Sequence, residues 1–558
     1  MATQFKLPIM YNDKTRQVES NIVDNLELIS QYKKIYGSTK NDFNLKNWCL
    51  YYTYDTNFLQ ENQCFFEELS SKDVIQKHTC MEYFFDEWQK VMKNESIRET
   101  YYYIDWDHLD FVNYNQNIML GLSLYNLASP VLTLLTPIIC LLVPFFILKF
   151  ILKTDVTFEV YKELFFHYTK NNLFGKMVQN LFNPENINQQ ITGFSMLLFY
   201  FMSLYQNTLV CIKFYQNMNF MKTYIQKSSH LFRKTLDCLD CILSVSQSKQ
   251  SFSKFNQHCI ETKAKIGDIL KLIKNINDKD FNILNLPQIG KYMALFYKLR
   301  HDENIQQTFQ YSFEFQEYIS NLKQLFEHMK AKKIANCTFT EKSTYLKSSY
   351  YLGHIKDDCI RNNLKITKNH ILTGPNASGK TTLIKSIMIN LLLSQQIGYG
   401  CYSKNTKINP YHSFYSYLNI PDTADRDSLF QAEARRCLNI IKSLEQNEKE
   451  RSFLIFDELY SGTNPKEATL SAISFMNYIS QMKVHFMITT HYYDICTSPH
   501  LSNNIKNIHM LTESSGTNFE YKYKIAKGPS FKQGGIIILK EMGYPKNIID
   551  QILDMETR

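Results

Sequence analysis

At 558 residues and 65.9 kDa the chain has room for about three or four domains and a sizeable core. Its 13 cysteines follow no ligand spacing, and Cys238-Leu-Asp-Cys241 is a lone pair two ligands short of a zinc site, which argues against a metal framework. The net charge of +9 is a mild basic excess that permits contact with phosphates of nucleic acid or lipid, and no fixed-period repeat or low-complexity tract is present.

Residues 1–115 are polar and aromatic-rich and are expected to be mostly helical, with Trp48, Trp88 and Trp106 as packing anchors; no catalytic constellation is visible there. Residues 116–215 form the expected membrane region. No charged side chain occurs between Asp110 and Lys149, and the most apolar part, about 130–148, has roughly the 20 residues needed to cross hydrocarbon. Pro130, Pro137 and Pro144 weaken a straight helix, and a buried core helix is the competing reading. The stretch begins far from Met1 without a basic leader, so it reads as an anchor rather than a signal peptide. A second uncharged stretch, about 191–212, holds Gln206 and Asn207 and is either a second span or a core helix. If both cross, the two ends of the chain share one side and residues near 155–190 form a short outer loop. If only the first crosses, Asp105, Asp107 and Asp110 precede it while Lys149 and Lys153 follow, which places the C-terminal region in the cytosol. From 216 to 335 the apolar residues recur at helical spacing, as in Ile269-Leu-Lys-Leu-Ile273, with Pro287 as the one break, which suits long packed helices.

Residues 336–558 carry the chemistry. Gly374-Pro375-Asn376-Ala377-Ser378-Gly379-Lys380-Thr381-Thr382 follows the strand-like run His370-Ile-Leu-Thr373 and precedes a helical pattern, so it is a phosphate loop in its required context. Its backbone N–H groups and the following helix N-terminus face the phosphates, Lys380 neutralises β/γ oxygens, and the Thr381 hydroxyl is a Mg²⁺ ligand. The apolar strand Ser452-Phe-Leu-Ile-Phe ends in Asp457 and Glu458, expected to hold the metal shell and to act as the base on the attacking water. A third apolar strand, Val484–Thr490, closes on His491, where a γ-phosphate sensor sits in a parallel sheet. The expected fold is an α/β P-loop NTPase domain at the C-terminus behind a mostly α-helical region, and the expected activity is Mg²⁺-dependent ATP hydrolysis.

These motifs, with Ser428-Leu-Phe430-Gln-Ala-Glu433, the run Asp457-Glu458-Leu-Tyr-Ser-Gly462-Thr463 and the tail Gly528-Pro-Ser530, Gly534-Gly535 and Gly543-Tyr-Pro545, resemble the C-terminal ATPase domain of MutS proteins, within the ABC class. The resemblance covers roughly the last 220 residues. It implies a composite site in which Ser428 of one subunit reaches the γ-phosphate bound by another, with Phe430 and Glu433 supporting that segment. It also implies a dimer, either a homodimer or a MutS-like heterodimer, with Asn376 near the phosphates and Gln396 as the glutamine-loop residue, a role for which Gln395 competes. Residues 216–335 then correspond in position to the lever that precedes the ATPase domain in MutS proteins. The sequence departs from the family in Ala377, where methionine is usual, and in Gly462-Thr463-Asn-Pro-Lys-Glu467, where serine-threonine-aromatic-aspartate usually follows the glycine-threonine.

The MutS mismatch-reading domain has a Phe-x-Glu wedge. Phe65-Phe66-Glu67 and Phe315-Gln316-Glu317 fit those three letters but lack the glycine-rich strand context. Two readings follow: an ATP-driven dimeric clamp on double-stranded DNA, in repair or maintenance at a membrane, or a membrane-anchored switch acting on protein or lipid without nucleic acid. In both, the ATPase domain lies on the cytosolic side.

Overall fold

A computed structural model describes residues 4–169, 180, 186–274, 286–355, 359–418, 429–515, 518–530, 539 and 542–556. The chain divides into two compact units, neither of them one continuous stretch: Met1–Met81 with Thr235–Lys263 and Gln310–Arg558, and Glu82–Lys234 with Ala264–Phe309. The sequence reading ran instead in four consecutive blocks. The difference arises because Met1–Met81 packs with the C-terminal domain through contacts more than 300 residues apart in sequence, which periodicity cannot reveal.

The first unit is built on a six-stranded sheet of β1 (Asn369–Thr373), β2 (Ser413–Tyr417), β3 (Ser452–Asp457), β4 (Val484–Thr489), β5 (Ile505–Ser515) and β6 (Asn518–Lys527), in the order β2-β3-β4-β1-β5-β6. All neighbours are parallel except β5 and β6, which form an antiparallel hairpin. The parallel strands read as unbroken apolar runs because helices cover both faces. On one face, Cys437, Ile440 and Leu444 of the helix Leu429–Gln446 and Ala468, Ala472, Met476 and Ile479 of the helix Pro465–Ile479 pack against Leu454, Phe456, Phe486 and Ile488. Their three- and four-residue spacing puts each set on one side of its helix.

The helix Lys380–Ile397 is instead buried on nearly every side, polar residues included. The N-terminal segment supplies the second wall and satisfies those polar groups, as buried amides require. Gln395 donates to the Thr53 and Tyr411 carbonyls at 3.2 and 2.7 Å, and the Tyr32 hydroxyl donates to Gln396 at 2.6 Å. Gln63 donates to the carbonyls of Cys337 and Gly398. Arg16 pairs with Glu450 at 2.5 Å, and Asn25 donates to Ser416 on the edge strand β2 at 3.3 Å. Two buried glutamates on the helix Glu303–Lys330 hold the same segment by its backbone, Glu314 accepting from Gln4 and Phe5 and Glu317 from Phe43 and Asn44.

At the opposite end of the sheet from the loop, His370 and His485 are held neutral. Burial first, and then Lys506 beside His370 and Arg451 beside His485, push both down to about 4. Below pH 6.5 the unfolded chain takes up protons that the native imidazoles refuse, so this stability is complete above pH 6.5 and is lost as pH falls toward 4, by at most about 3 kcal/mol per histidine. His485→Gln should flatten the decline of the urea midpoint between pH 6.5 and 4. A decline as steep as wild type would show that these rings are not its source.

The second unit holds the helix Gln116–Phe146 and residues 187–234 of the helix Ile187–Ser246, and both helices are long and apolar enough to cross a membrane. Their polarity is inside out. Val131, Leu134, Leu198 and Phe199 are more than half exposed, the last at 70%, while Asn207 turns to the facing helix and donates to the Thr133 hydroxyl at 2.7 Å. Pro130 frees the Asn126 carbonyl four residues before it, and the Thr133 carbonyl turns to the facing helix. Ser129 donates to the first at 3.0 Å and Tyr200 to the second at 3.3 Å. Trp88 is buried, as expected, whereas Trp106 remains 64% exposed beside His108 and anchors no core.

Candidate nucleotide site

The register of the parallel strands gathers the three motifs at one edge. Asp457 pairs with Thr489, and Thr489 pairs with Leu372, one residue before the end of β1. In such sheets ligands bind outside the carboxyl ends of the strands. Thr373 leads into the loop 374–382, and Gly379, with φ +87°, turns the chain into the helix Lys380–Ile397 while the Tyr523 ring packs against its missing Cβ. Asn376 and Ala377 are exposed at the loop tip and Thr382 is exposed at the start of the helix. Ser378 is buried, and its hydroxyl has no hydrogen-bond partner. Lys380 points into the loop, donating to the carbonyls of Gly374 and Pro375 at 3.0 and 3.2 Å. Burial lowers its pKa, opposed by Glu458 and Asp457.

Thr381 donates to one Asp457 oxygen at 2.9 Å, and Thr489 donates to the other. A hydroxyl and a carboxylate converging beside a phosphate loop are the hard oxygen donors that Mg²⁺ takes, and the orphaned Ser378 hydroxyl adds a donor for an anion, so these residues fit the metal and a nucleotide together. The next carboxylate, Glu458, lies 2.7 Å from His491 Nε2. That hydrogen bond, with the His491 and Lys380 charges, holds Glu458 below the usual carboxylate range against the effect of burial. Ala377, Glu458 and Tyr460 have φ of +62°, +53° and +58°. Non-glycine residues held this way cost on the order of 1–3 kcal/mol each and cluster where geometry is functional.

The segment after Ser428 is latched to the loop that follows Glu458. Glu433, 2% exposed, accepts from the Ser461 amide and hydroxyl at 3.1 and 2.9 Å and from the Gly462 amide at 3.2 Å. Gly462 is required there, since a Cβ would lie 2.7 Å from Leu429 and 2.8 Å from the Phe430 amide. Phe430 packs against Tyr460, the rings tilted by 53° with centroids 5.7 Å apart. Ser428 itself lies outside the described residues, as do Gly534 and Gly535.

Residues 370–557 match the model of MutS domain V. The C-terminal part of the chain resembles MutS domain V. Over 219 residues the chain is 29% identical to the DNA mismatch repair protein MutS of Persephonella marina, covering 38% of this chain and 24% of that protein. It is 26% identical over 189 residues to the MutS of Chlamydia muridarum, covering 33% and 22%, and 24% identical over 223 residues to Endonuclease MutS2 of Staphylococcus epidermidis, covering 39% and 28%. The chain thus spans about a quarter of the length of these relatives.

Within the MutS domain, one expected site residue is not brought to the loop. Gln396 lies sixteen residues along the helix from Lys380, which at 1.5 Å per residue is about 24 Å away. Its amide is occupied by Tyr32 and, at 2.8 Å, by the Trp48 carbonyl. Gln395 is equally committed, so neither glutamine reaches a phosphate. Gly398 marks this locally, since its φ of +79° ends the helix and leaves both glutamines in its last turn. Conversely, sequence reading missed a cavity of about 420 Å³ beside Gly379 and Thr382, walled by Tyr350, Tyr351, Asn362 and Tyr523. Asn362 holds β6 there, donating to the Tyr523 carbonyl at 3.0 Å and accepting from the Ile525 amide at 2.9 Å. Its aromatic lining next to the loop suits a nucleobase and ribose.

Proposed function

We propose that this chain is a MutS-type ATPase whose ATP-bound heads pair and whose cycle opens and closes a clamp on double-stranded DNA. The observation that carries the reading is the convergence of Thr381 with Asp457 and of Glu458 with His491 at one sheet edge. In this reading Gly374, Pro375, Asn376, Ala377, Ser378, Gly379, Lys380 and Thr382 hold the triphosphate, and Thr381 and Asp457 hold Mg²⁺. The metal supplies charge neutralisation to the phosphate oxygens when bound. Glu458 accepts the proton of the attacking water, and His491 orients Glu458 and senses the γ-phosphate. Ser428 completes the site of a second copy, or of a MutS-like partner, in trans. DNA as the load follows from the names of the relatives and from the mild basic charge.

A second element of the proposal is the location. The charge-free parts of the two helices, with apolar exteriors, a polar seam and a capped proline-freed carbonyl, suit hydrocarbon, where backbone groups left without a partner are costly. Both helices then cross as a hairpin and the ATPase domain stays on the cytosolic side. The same feature favours a runner-up load, a membrane or protein rearrangement without nucleic acid.

ATP turnover by detergent-purified full-length protein, with and without duplex DNA over a range of salt, separates the two. Stimulation that fades as salt rises is expected for the clamp. Turnover indifferent to DNA with or without a mismatch at every salt concentration would move the load to the membrane or a protein.

A further inference from the structure

Tyr351 and His354 wall the cavity beside the phosphate loop, and Gly353 lies between them in the single turn Leu352–His354. Its outer side rests on the N-terminal helix Leu28–Tyr36. Gln31 donates to the Tyr351 hydroxyl at 2.9 Å, and the Lys34 ammonium donates to the Gly353 carbonyl at 2.9 Å. Gln31 is 4% exposed, and its amide oxygen has no hydrogen-bond partner, so the side chain is spent on this one contact. The helix is braced from behind. His328 of the helix Glu303–Lys330 bonds the Lys34 carbonyl at 3.0 Å, Asn321 donates to the Tyr36 carbonyl at 3.0 Å, and Tyr32 is fixed by Gln396. Two side chains three residues apart therefore reach the wall from one face of a helix whose own position is fixed.

We propose that Gln31 and Lys34 are positioning residues for the nucleoside half of the ATP site: through Tyr351 and the turn at Gly353 they hold the cavity wall against the base and ribose, giving Met1–Met81 a part in nucleotide recognition. Lys34 touches a backbone carbonyl and Gln31 a phenol, so neither meets the phosphates. Their effect falls on recognition of the nucleoside and leaves the chemistry at Asp457 and Glu458 alone. The inference rests on the ATPase reading of the loop.

The test uses the full-length protein with two probes, ATP and inorganic tripolyphosphate, each with Mg²⁺. Gln31→Leu combined with Lys34→Met should weaken ATP binding roughly tenfold, as expected for two modest hydrogen bonds, with tripolyphosphate affinity and kcat at saturating ATP within about twofold of wild type. Gln31→Leu combined instead with Lys34→Arg, which keeps a donor for the Gly353 carbonyl, should retain part of the ATP affinity that Gln31→Leu/Lys34→Met loses. Unchanged ATP affinity in the double variant would overturn the proposal, and so would an equal loss for both probes, which would mean a general loosening of the domain. Failure of the wild type to bind either probe would instead refute the ATPase reading itself, and this inference with it.

Discussion

Glu458→Gln is expected to bind ATP with near wild-type affinity and to turn it over at least about a hundredfold more slowly, the usual size of a general-base contribution. The substitution keeps the side-chain volume and a hydrogen-bonding oxygen for His491, now 2.7 Å from Glu458, but removes the charge that accepts a proton. Because His491 and Lys380 hold the Glu458 carboxyl below its ordinary range, the base is ionised throughout neutral pH, and the loss in the variant should not be recovered by raising pH. The measurement is single-turnover hydrolysis beside equilibrium binding. Equal turnover by variant and wild type would remove Glu458 from the chemistry and leave its left-handed backbone, φ +53°, without a function.

Lys380→Ala should fail one step earlier, at binding. The ammonium lies in a partly desolvated loop, and its contact to an anionic phosphate is a charge-assisted hydrogen bond. Losing it should cost about 3 kcal/mol, roughly a hundredfold in ATP affinity. Titration calorimetry with ATP and Mg²⁺ reads this directly. The variant also strands the Gly374 and Pro375 carbonyls that Lys380 now bonds, so the loop should become more accessible to hydrogen exchange than in Glu458→Gln. Wild-type affinity in Lys380→Ala would contradict the phosphate-loop reading.

The parts of the site that the sequence made legible are those fixed by neighbours in the chain. The loop 374–382 and the acids at the end of β3 each state their geometry within about ten residues, because a strand, a turn and a helix start are local events. The register that sets Asp457 against Thr489 then needed only the parallel sheet those motifs imply. Gln396 was misplaced because a family position was carried across without counting turns of the helix from Lys380. The clasp of Met1–Met81 was illegible for a different reason. Its contacts, such as Tyr32 to Gln396 and Tyr52 to the His412 carbonyl, join side chains to partners more than 300 residues away. No local pattern encodes such pairs, although the helix Lys380–Ile397 carries apolar residues on more than one face, as in Leu391-Leu-Leu393, so that a second wall is needed to cover it. Asn207 leaves the stretch 191–212 open between a second span and a core helix in the sequence, and its bond to Thr133 on the facing helix joins residues more than 70 positions apart.

ATP should draw two such sites together, and the mass of detergent-purified Glu458→Gln protein by light scattering, with ATP and Mg²⁺ and then with ADP, reads this directly. The expected result is a doubling of protein mass with ATP that ADP does not support and that Ser428→Ala weakens. A mass that stays that of one chain under ATP, while the wild-type protein hydrolyses ATP at full rate as a monomer, would contradict it.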